Sequence, residues 1–228
     1  MDKPNRFIPT AILAFIMLAC GFQEINLSNT FPNSTLNRFL PDTPNHRHIR
    51  TLVDKNILYL ENTAILLILG QSNSANYGQG CYQCRHKVFN YFNGNLYPAI
   101  EPLLGADGEG CSVWTRLADL LIDNGLYERV VLIPIGIGAT TVDCWAQGIC
   151  NEKLTETLKH IARDSIPVTH IFWHQGESDN LENTTKEIYK AKLGKILLQI
   201  RQQGILSDFY VCVASYHPFV TAKHNGLD

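Results

Sequence analysis

A chain of 228 residues, 45% apolar and 18% charged, has enough apolar mass for one real core plus extra segments. A net charge of −2, with no basic run and no aromatic-interleaved basic patch, leaves no footprint for nucleic acid and excludes it as an expected partner. The chain shows neither an internal repeat nor a coiled-coil heptad pattern.

The N-terminus reads as a targeting segment. Lys3 and Arg6 form a charged region ahead of a mostly apolar stretch from Phe7 to Ala19, interrupted by Pro9 and Thr10. That stretch is short for a bilayer span and suits the apolar part of an export signal. It ends at Met17-Leu18-Ala19-Cys20-Gly21, where a small residue followed by cysteine is similar to a lipoprotein processing site. Residues 1–24 are therefore expected to be a signal, with three fates open: ordinary cleavage, lipidation at Cys20, or retention as an anchor. The expected location is outside the cytosol, whether periplasmic, secreted or lipid-anchored through Cys20, with no stable membrane span after processing. Residues 25–61 read as a linker, rich in Ser, Thr, Asn and Pro from Ser28 to Asn45, that acts as a tether or a strap. Residues 62–228 are the expected folded domain.

Ala64 to Leu69 is six apolar residues in a row ending at Gly70, the pattern of a strand buried on both faces. Such strands place chemistry at their carboxyl ends, and this one runs into Gly70-Gln71-Ser72-Asn73. Gly70 permits a sharp turn. Ser72 then projects from the turn, and its own N–H is placed to meet a developing oxyanion. The bland alternative makes Ser72 a turn or cap residue. Gln71 to Cys111 is too long for a mere connection and reads as an insertion on the same rim, with a short strand at Val88–Phe92.

Next comes an amphipathic helix, Val113–Asn124, with Ser112 as its N-cap and Gly125 as its stop. Val130–Ile135 is a second buried strand, and Asn151–Arg163 is helical. A third strand, Val168–Trp173, runs into His174-Gln175-Gly176-Glu177-Ser178-Asp179, again a polar cluster at a carboxyl end. Glu182–Gln203 reads as one long helix, with Leu193, Ile196, Leu197 and Ile200 on one face and Gly204 at its end. Phe209–Ala214 is the last strand. Strands alternating with helices predict an α/β fold, a parallel sheet covered on both faces.

Besides Cys20 the chain has Cys81, Cys84, Cys111, Cys144, Cys150 and Cys212, a set that an exported protein can oxidise. Cys144 and Cys150 bracket a short loop and are placed to close it. Cys81-x-x-Cys84 opens no thioredoxin-like helix and lacks paired zinc ligands, so loop disulfides or free thiols are expected and no metal. Cys212, within a strand, reads as a buried thiol.

The pair GQSN and HQGESD, with Gly138-Ala139-Thr140-Thr141-Val142 and Trp145 between them, resembles the sialate O-acetylesterase-like branch of the SGNH (GDSL-type) hydrolases, carbohydrate esterase family 6. The middle segment is similar to the family's GGTSI-x-x-W loop, with Ala139 for the second glycine and Val142 for the isoleucine. Pro102-Leu103-Leu104-Gly105 and Gly110-x-Ser112-Val113-Trp114 also resemble family segments. The resemblance implies a flavodoxin-like three-layer α/β/α sandwich, the SGNH hydrolase fold. It implies Ser72 as the nucleophile. It implies an oxyanion hole from the Ser72 N–H, the N–H of Gly138 or Ala139, and the Gln175 side chain. Gln71, Asn73, His174, Glu177 and Asp179 become supporting loop residues, and no cofactor is implied. Ala139 keeps an N–H to donate, but alanine is strained there if the position needs φ > 0. Trp145 has two readings, a platform for a sugar face or a core residue; Trp173 reads as core.

The family takes its general base from an Asp-x-x-His segment near the C-terminus, and these 228 residues contain none. Asp42 and His46 have the wrong spacing and precede Ser72. Of the eight histidines, His174, His217, His86 and His224 are candidate substitutes for that base, each better read as structural or solvated. The expectation is a C-terminally incomplete domain. Two functions remain: a serine esterase that removes O-acyl groups, foremost O-acetyl, from a carbohydrate or another ester, and a catalytically dead protein that at most binds an acylated glycan. If the chain ends at Asp228, the uncharged strand 209–214 forms a sheet edge that invites self-association.

Overall fold

The computed structural model describes residues 50–213. The signal expected at 1–24 with Cys20, the linker up to residue 49, the pair Asp42 and His46, and His217 and His224 lie outside the described residues.

Strand β1, Thr63–Gly70, is buried at all eight positions, as its unbroken apolar run demands. It is the centre of the sheet. Around it stand β2 (Val88–Phe92), β3 (Asn95–Pro98), β4 (Arg129–Pro134), β5 (His170–His174) and β6 (Asp208–Val211). Their spatial order is β3-β2-β4-β1-β5-β6. β1 pairs in parallel with β4 and with β5, β2 with β4, and β5 with β6. The pair β2–β3 is antiparallel.

Without the β2–β3 hairpin, the order β4-β1-β5-β6 is the 2-1-3-4 succession of a flavodoxin-like sheet. The chain leaves β1 toward one side and leaves β5 toward the other. The switch point where ligands bind in such sheets is therefore the crevice at the carboxyl ends of β1 and β5.

Helices cover both faces, so the three-layer α/β/α expectation holds. Alternate side chains of β1 serve the two layers. Ala64, Leu66 and Ile68 pack with Trp114, Leu117, Ala118 and Leu121 of α1 (Trp114–Asp123) and with Phe172 of β5. Ile65, Leu67 and Leu69 pack on the other face, beneath α2 (Val142–Gln147), α3 (Ile149–Arg163) and α5 (Lys186–Gln202). Each large side chain buried this way stabilises the fold by roughly 1.5–3 kcal/mol over its exposed state.

The structure departs from expectation at several places. The sheet is not wholly parallel, because Asn93 and Gly94, with φ of 47° and 80°, turn β2 back into the antiparallel β3. The helix expected over Glu182–Gln203 is shorter than expected and spans Lys186–Gln202. A short α4 (Glu177–Leu181) precedes it, and α5 begins only after Thr185, whose side chain caps the Ile188 N–H. Val113, not Ser112, holds the N-cap position of α1; the Ser112 hydroxyl accepts the Trp114 N–H at 3.2 Å. β6 stands at the edge of the sheet and spans Asp208–Val211.

The insertion after β1 is fastened to α1. A disulfide joins Cys81 to Cys111. Buried Asp119 accepts the Tyr82 hydroxyl at 2.8 Å and the Arg85 N–H at 2.7 Å. His86 sits at 2.6 Å from Asp123 in the same strapped loop. Cys84 is a half-buried free thiol, its pKa pushed up to about 12 by burial and by the nearby Asp119 and Glu101 carboxylates. Residues ahead of β1 lie along the domain. Val53 bridges to Leu96, Lys55 pairs with Asp164 at 3.0 Å, and the Tyr59 hydroxyl donates to the Asp164 carbonyl. Among the described residues no helix is long and apolar enough to cross a membrane.

Candidate active site

Three loops meet at the carboxyl ends of β4, β1 and β5, and main-chain hydrogen bonds set them side by side. The Ile137 N–H donates to Gly70 O at 2.9 Å on one flank of β1, and the Gln71 N–H donates to His174 O at 2.9 Å on the other. Gly70 is required at this junction. Its φ is +129°, and a Cβ there would lie 2.1 Å from the His174 carbonyl oxygen. Only a residue without a side chain lets β1 and β5 converge this closely.

Ser72 opens a 3₁₀ turn, Ser72–Ser74, directly above β1. The turn is held from below. The Ser74 hydroxyl donates to Gln71 O at 2.7 Å, and the Trp114 indole N–H donates to Ser74 O at 2.9 Å. Ser72 itself is half-buried, and among the described residues its hydroxyl has no hydrogen-bond partner. It is the one side chain of the turn left for something outside the fold.

Gln71 and Asn73, on either side of Ser72, tie its turn to the loop after β5. Gln71 Oε1 accepts the Gly176 N–H at 3.3 Å and the Ser178 N–H at 3.1 Å, satisfying first-turn donors of α4. Asn73 Nδ2 donates to Glu177 Oε1 at 2.6 Å. The loop after β4 is bound to the same cluster. Gln175 Nε2 donates to Asp179 Oδ2 at 2.6 Å and to Thr140 O at 2.9 Å, with Gln71 Oε1 a third acceptor at 3.2 Å. Asp179 Oδ2 also takes the Val142 N–H.

The oxyanion donors that the resemblance implies are placed unequally. The Gly138 N–H is donated to Asp107 Oδ2 at 3.2 Å, an acceptor fixed in turn by the Tyr77 hydroxyl at 2.7 Å. The two Gln175 amide hydrogens face a carboxylate and two carbonyl oxygens. By contrast, the N–H groups of Ser72 and Ala139 meet no acceptor among the described residues. Ala139 has φ of +55°, so the alanine in place of glycine does sit in the left-handed region. Gly138 needs its missing side chain, since a Cβ would fall 2.7 Å from the Tyr77 hydroxyl oxygen and 2.8 Å from its ring.

The titratable groups are arranged without a ready base. His174 is buried; burial lowers its pKa to about 4, and its Nδ1 has no partner among the described residues. It is a neutral imidazole at pH 7. Burial raises the Glu177 carboxyl above its ordinary value, and its Oε2 is buried without a partner among the described residues. His86 is committed to Asp123, and His160 approaches Glu156 at 3.4 Å. Trp145 is fully buried, edge-on to Trp173 at 5.8 Å, with its indole N–H on Thr140 Oγ1 at 3.1 Å. It is a core residue that braces the loop, and no sugar reaches its face. Cys144 and Cys150 form the expected disulfide around the end of α2. Among the described residues no three His, Cys, Asp or Glu side chains are gathered to hold a metal ion.

Sequence reading singled out neither Asp107 nor Tyr189, the two residues that steady the loop after β4 and Gln175. Both come from segments distant in sequence, and no local pattern marks them.

Comparison with solved structures gives a protein from Arabidopsis thaliana at 18% identity and a TM-score of 0.54, covering 68% of this chain and 74% of that one. That likeness concerns the fold. A second is a carbohydrate acetylesterase from Xanthomonas citri, at 16% identity and a TM-score of 0.46, covering 65% of this chain and 40% of that one. Comparison with curated protein sequences gives no match. The sequence model described as carbohydrate esterase, sialic acid-specific acetylesterase matches residues 62–217, more than half of the chain and all three rim loops. The chain therefore belongs to the carbohydrate esterase family of sialic acid-specific acetylesterases.

Proposed function

We propose that this protein is a serine esterase that cleaves O-acetyl groups from a carbohydrate, with Ser72 as nucleophile. The supporting observation is the Ser72 hydroxyl at the switch point of the sheet, which has no hydrogen-bond partner among the described residues, on the same rim as two main-chain N–H groups, those of Ser72 and Ala139, that no acceptor among the described residues uses. Ser72 Oγ attacks the ester carbonyl carbon and its proton passes to a base. The carbonyl π electrons move to oxygen, and the N–H groups of Ser72 and Ala139 donate hydrogen bonds to the oxyanion so formed. Each such donor is worth on the order of 10²–10³ in rate. Collapse expels the sugar alkoxide, which takes up the proton. Water then attacks the acetyl-serine by the same route and releases acetate. In this scheme Gln175, Gln71, Asn73, Glu177 and Asp179 shape the loops.

The base is to come from outside residues 50–213, because the imidazoles within them are buried or paired. Residues 214–228 contain His217 and His224, and the sequence has no Asp-x-x-His. That the imidazoles of residues 50–213 are buried or paired favours a second reading, a protein that binds an acylated sugar without turning it over.

A biotinylated fluorophosphonate and p-nitrophenyl acetate separate the two. Labelling at Ser72 and hydrolysis that both vanish in Ser72→Ala support the esterase. Binding of an O-acetylated sugar with neither labelling nor hydrolysis supports the second reading. Equal hydrolysis by wild type and Ser72→Ala removes Ser72 from the mechanism. Export, with Cys20 as a possible lipid attachment point, is part of the same proposal and is checked by fractionating cells that express the full chain.

A further inference from the structure

Tyr189 lies on the first turn of α5, in a segment with no sequence motif, yet its hydroxyl reaches the centre of the loop cluster. It accepts the Trp173 indole N–H at 2.9 Å. An indole nitrogen is only a donor, so the phenolic proton remains for a second partner. Two acceptors share it, Gln175 Oε1 at 2.8 Å and Gln175 O at 3.0 Å. Burial raises the Tyr189 pKa above its ordinary value, so the hydroxyl stays a neutral donor throughout the range in which an ester hydrolase is assayed.

This bond decides which way the Gln175 amide faces. With Oε1 on Tyr189, Nε2 is turned to Asp179 Oδ2, Thr140 O and Gln71 Oε1, all acceptors. The reverse orientation would set a carbonyl oxygen against a carboxylate. Thr140 O belongs to the residue after Ala139, and the Gly138 N–H before it is pinned by Asp107. The Ala139 peptide is thus held from both sides, and Tyr189 anchors one of them.

We propose that Tyr189 is a positioning residue for the chemistry at Ser72, acting through the Gln175 amide to fix the peptide that carries the Ala139 N–H. The proposal rests on the esterase reading above. Tyr189→Phe removes one oxygen atom. It leaves Gln175 Oε1 without its side-chain donor and Trp173 Nε1 without its acceptor.

The test uses the full chain with p-nitrophenyl acetate. Tyr189→Phe is expected to lower kcat roughly tenfold with KM within twofold, because what is lost is alignment in the transition state and not substrate contact. Gln175→Ala is expected to be at least as impaired. The double variant should be no worse than Gln175→Ala alone, the non-additivity of residues acting in series. A folded Tyr189→Phe with wild-type kcat, or losses that multiply in the double variant, overturns the assignment. Should Tyr189→Phe not fold, Trp173→Phe takes its place: a twofold to fivefold fall in kcat at constant KM supports the relay, and unchanged kcat overturns it. A wild-type chain that neither hydrolyses the ester nor reacts with a fluorophosphonate overturns the Ser72 reading, and the role of Tyr189 falls with it. An active wild type beside an unaffected Tyr189→Phe overturns the Tyr189 role alone.

Discussion

Asp179 Oδ2 accepts the main-chain N–H of Val142 at 2.7 Å, which carries the loop after β5 across to the first residue of α2. The same oxygen takes a Gln175 amide hydrogen at 2.6 Å. One carboxylate oxygen therefore closes the ring of three loops. Asp179→Ala leaves the Val142 N–H unpaired in a dry place, a group that costs about 1–3 kcal/mol, and removes one of the three acceptors that Gln175 Nε2 shares. The expected loss is roughly 1–3 kcal/mol in urea unfolding, together with a fall in any ester hydrolysis. Asp179→Asn keeps an oxygen for Val142 and should lose only about 1 kcal/mol. If both variants unfold at the wild-type midpoint, Asp179 does not close the ring.

Ala139 occupies a glycine position with φ of +55°. A non-glycine residue in the left-handed region costs about 1–2 kcal/mol, partly offset by the lower freedom of alanine in the unfolded chain. Ala139→Gly is therefore expected to gain about 0.5–1 kcal/mol of stability. The N–H is unchanged, so catalysis should stay within a factor of two if the donor role is right. Thermal unfolding and p-nitrophenyl acetate kinetics check the two halves separately. A destabilised Ala139→Gly would mean that the Ala139 methyl makes packing contacts worth more than the strain.

Much of the scaffold was legible because its signals are local. The run Ala64–Leu69 has no polar break, so it reads as a strand buried on both faces wherever it sits, and GQSN follows it directly. HQGESD is legible in the same way, after His170–Trp173. The β2–β3 hairpin was missed although Asn93-Gly94, flanked by Val88–Phe92 and Asn95–Pro98, is a strong hairpin signal. Helix α5 was extended too far back because Glu182 to Thr185 is polar and breaks no periodicity; Thr185 is the cap that gives the true start. The state of Gln175 was not legible at all. Whether its amide is open to a substrate or donated to Asp179 and Thr140 depends on two loops and one helix that meet only in the folded chain. Trp145 is similar: its place in the motif leaves sugar platform and core equally open, and its contact with Trp173 decides for core.

His174 makes the fold sensitive to acid. In the unfolded chain its imidazole titrates near the ordinary 6.5, and in the folded chain burial lowers that to about 4. Between these values the unfolded state binds a proton that the folded state does not. Stability is therefore full above about pH 6.5 and falls as the pH drops toward 4, by up to about 3 kcal/mol at the lower end. Glu177 acts with the opposite sign. Burial raises its carboxyl above the ordinary 4.5, so its ionisation costs stability as the pH rises past that value. His174→Gln keeps a neutral polar side chain and removes only the imidazole's titration. Urea unfolding of wild type and His174→Gln from pH 7.5 to pH 4.5 separates the two groups, because Glu177 is common to both proteins. The difference in unfolding free energy should change steadily in favour of the variant as the pH falls. A difference that stays constant across the range would show that the imidazole takes up its proton in the folded protein as readily as in the unfolded chain, and that water reaches it there.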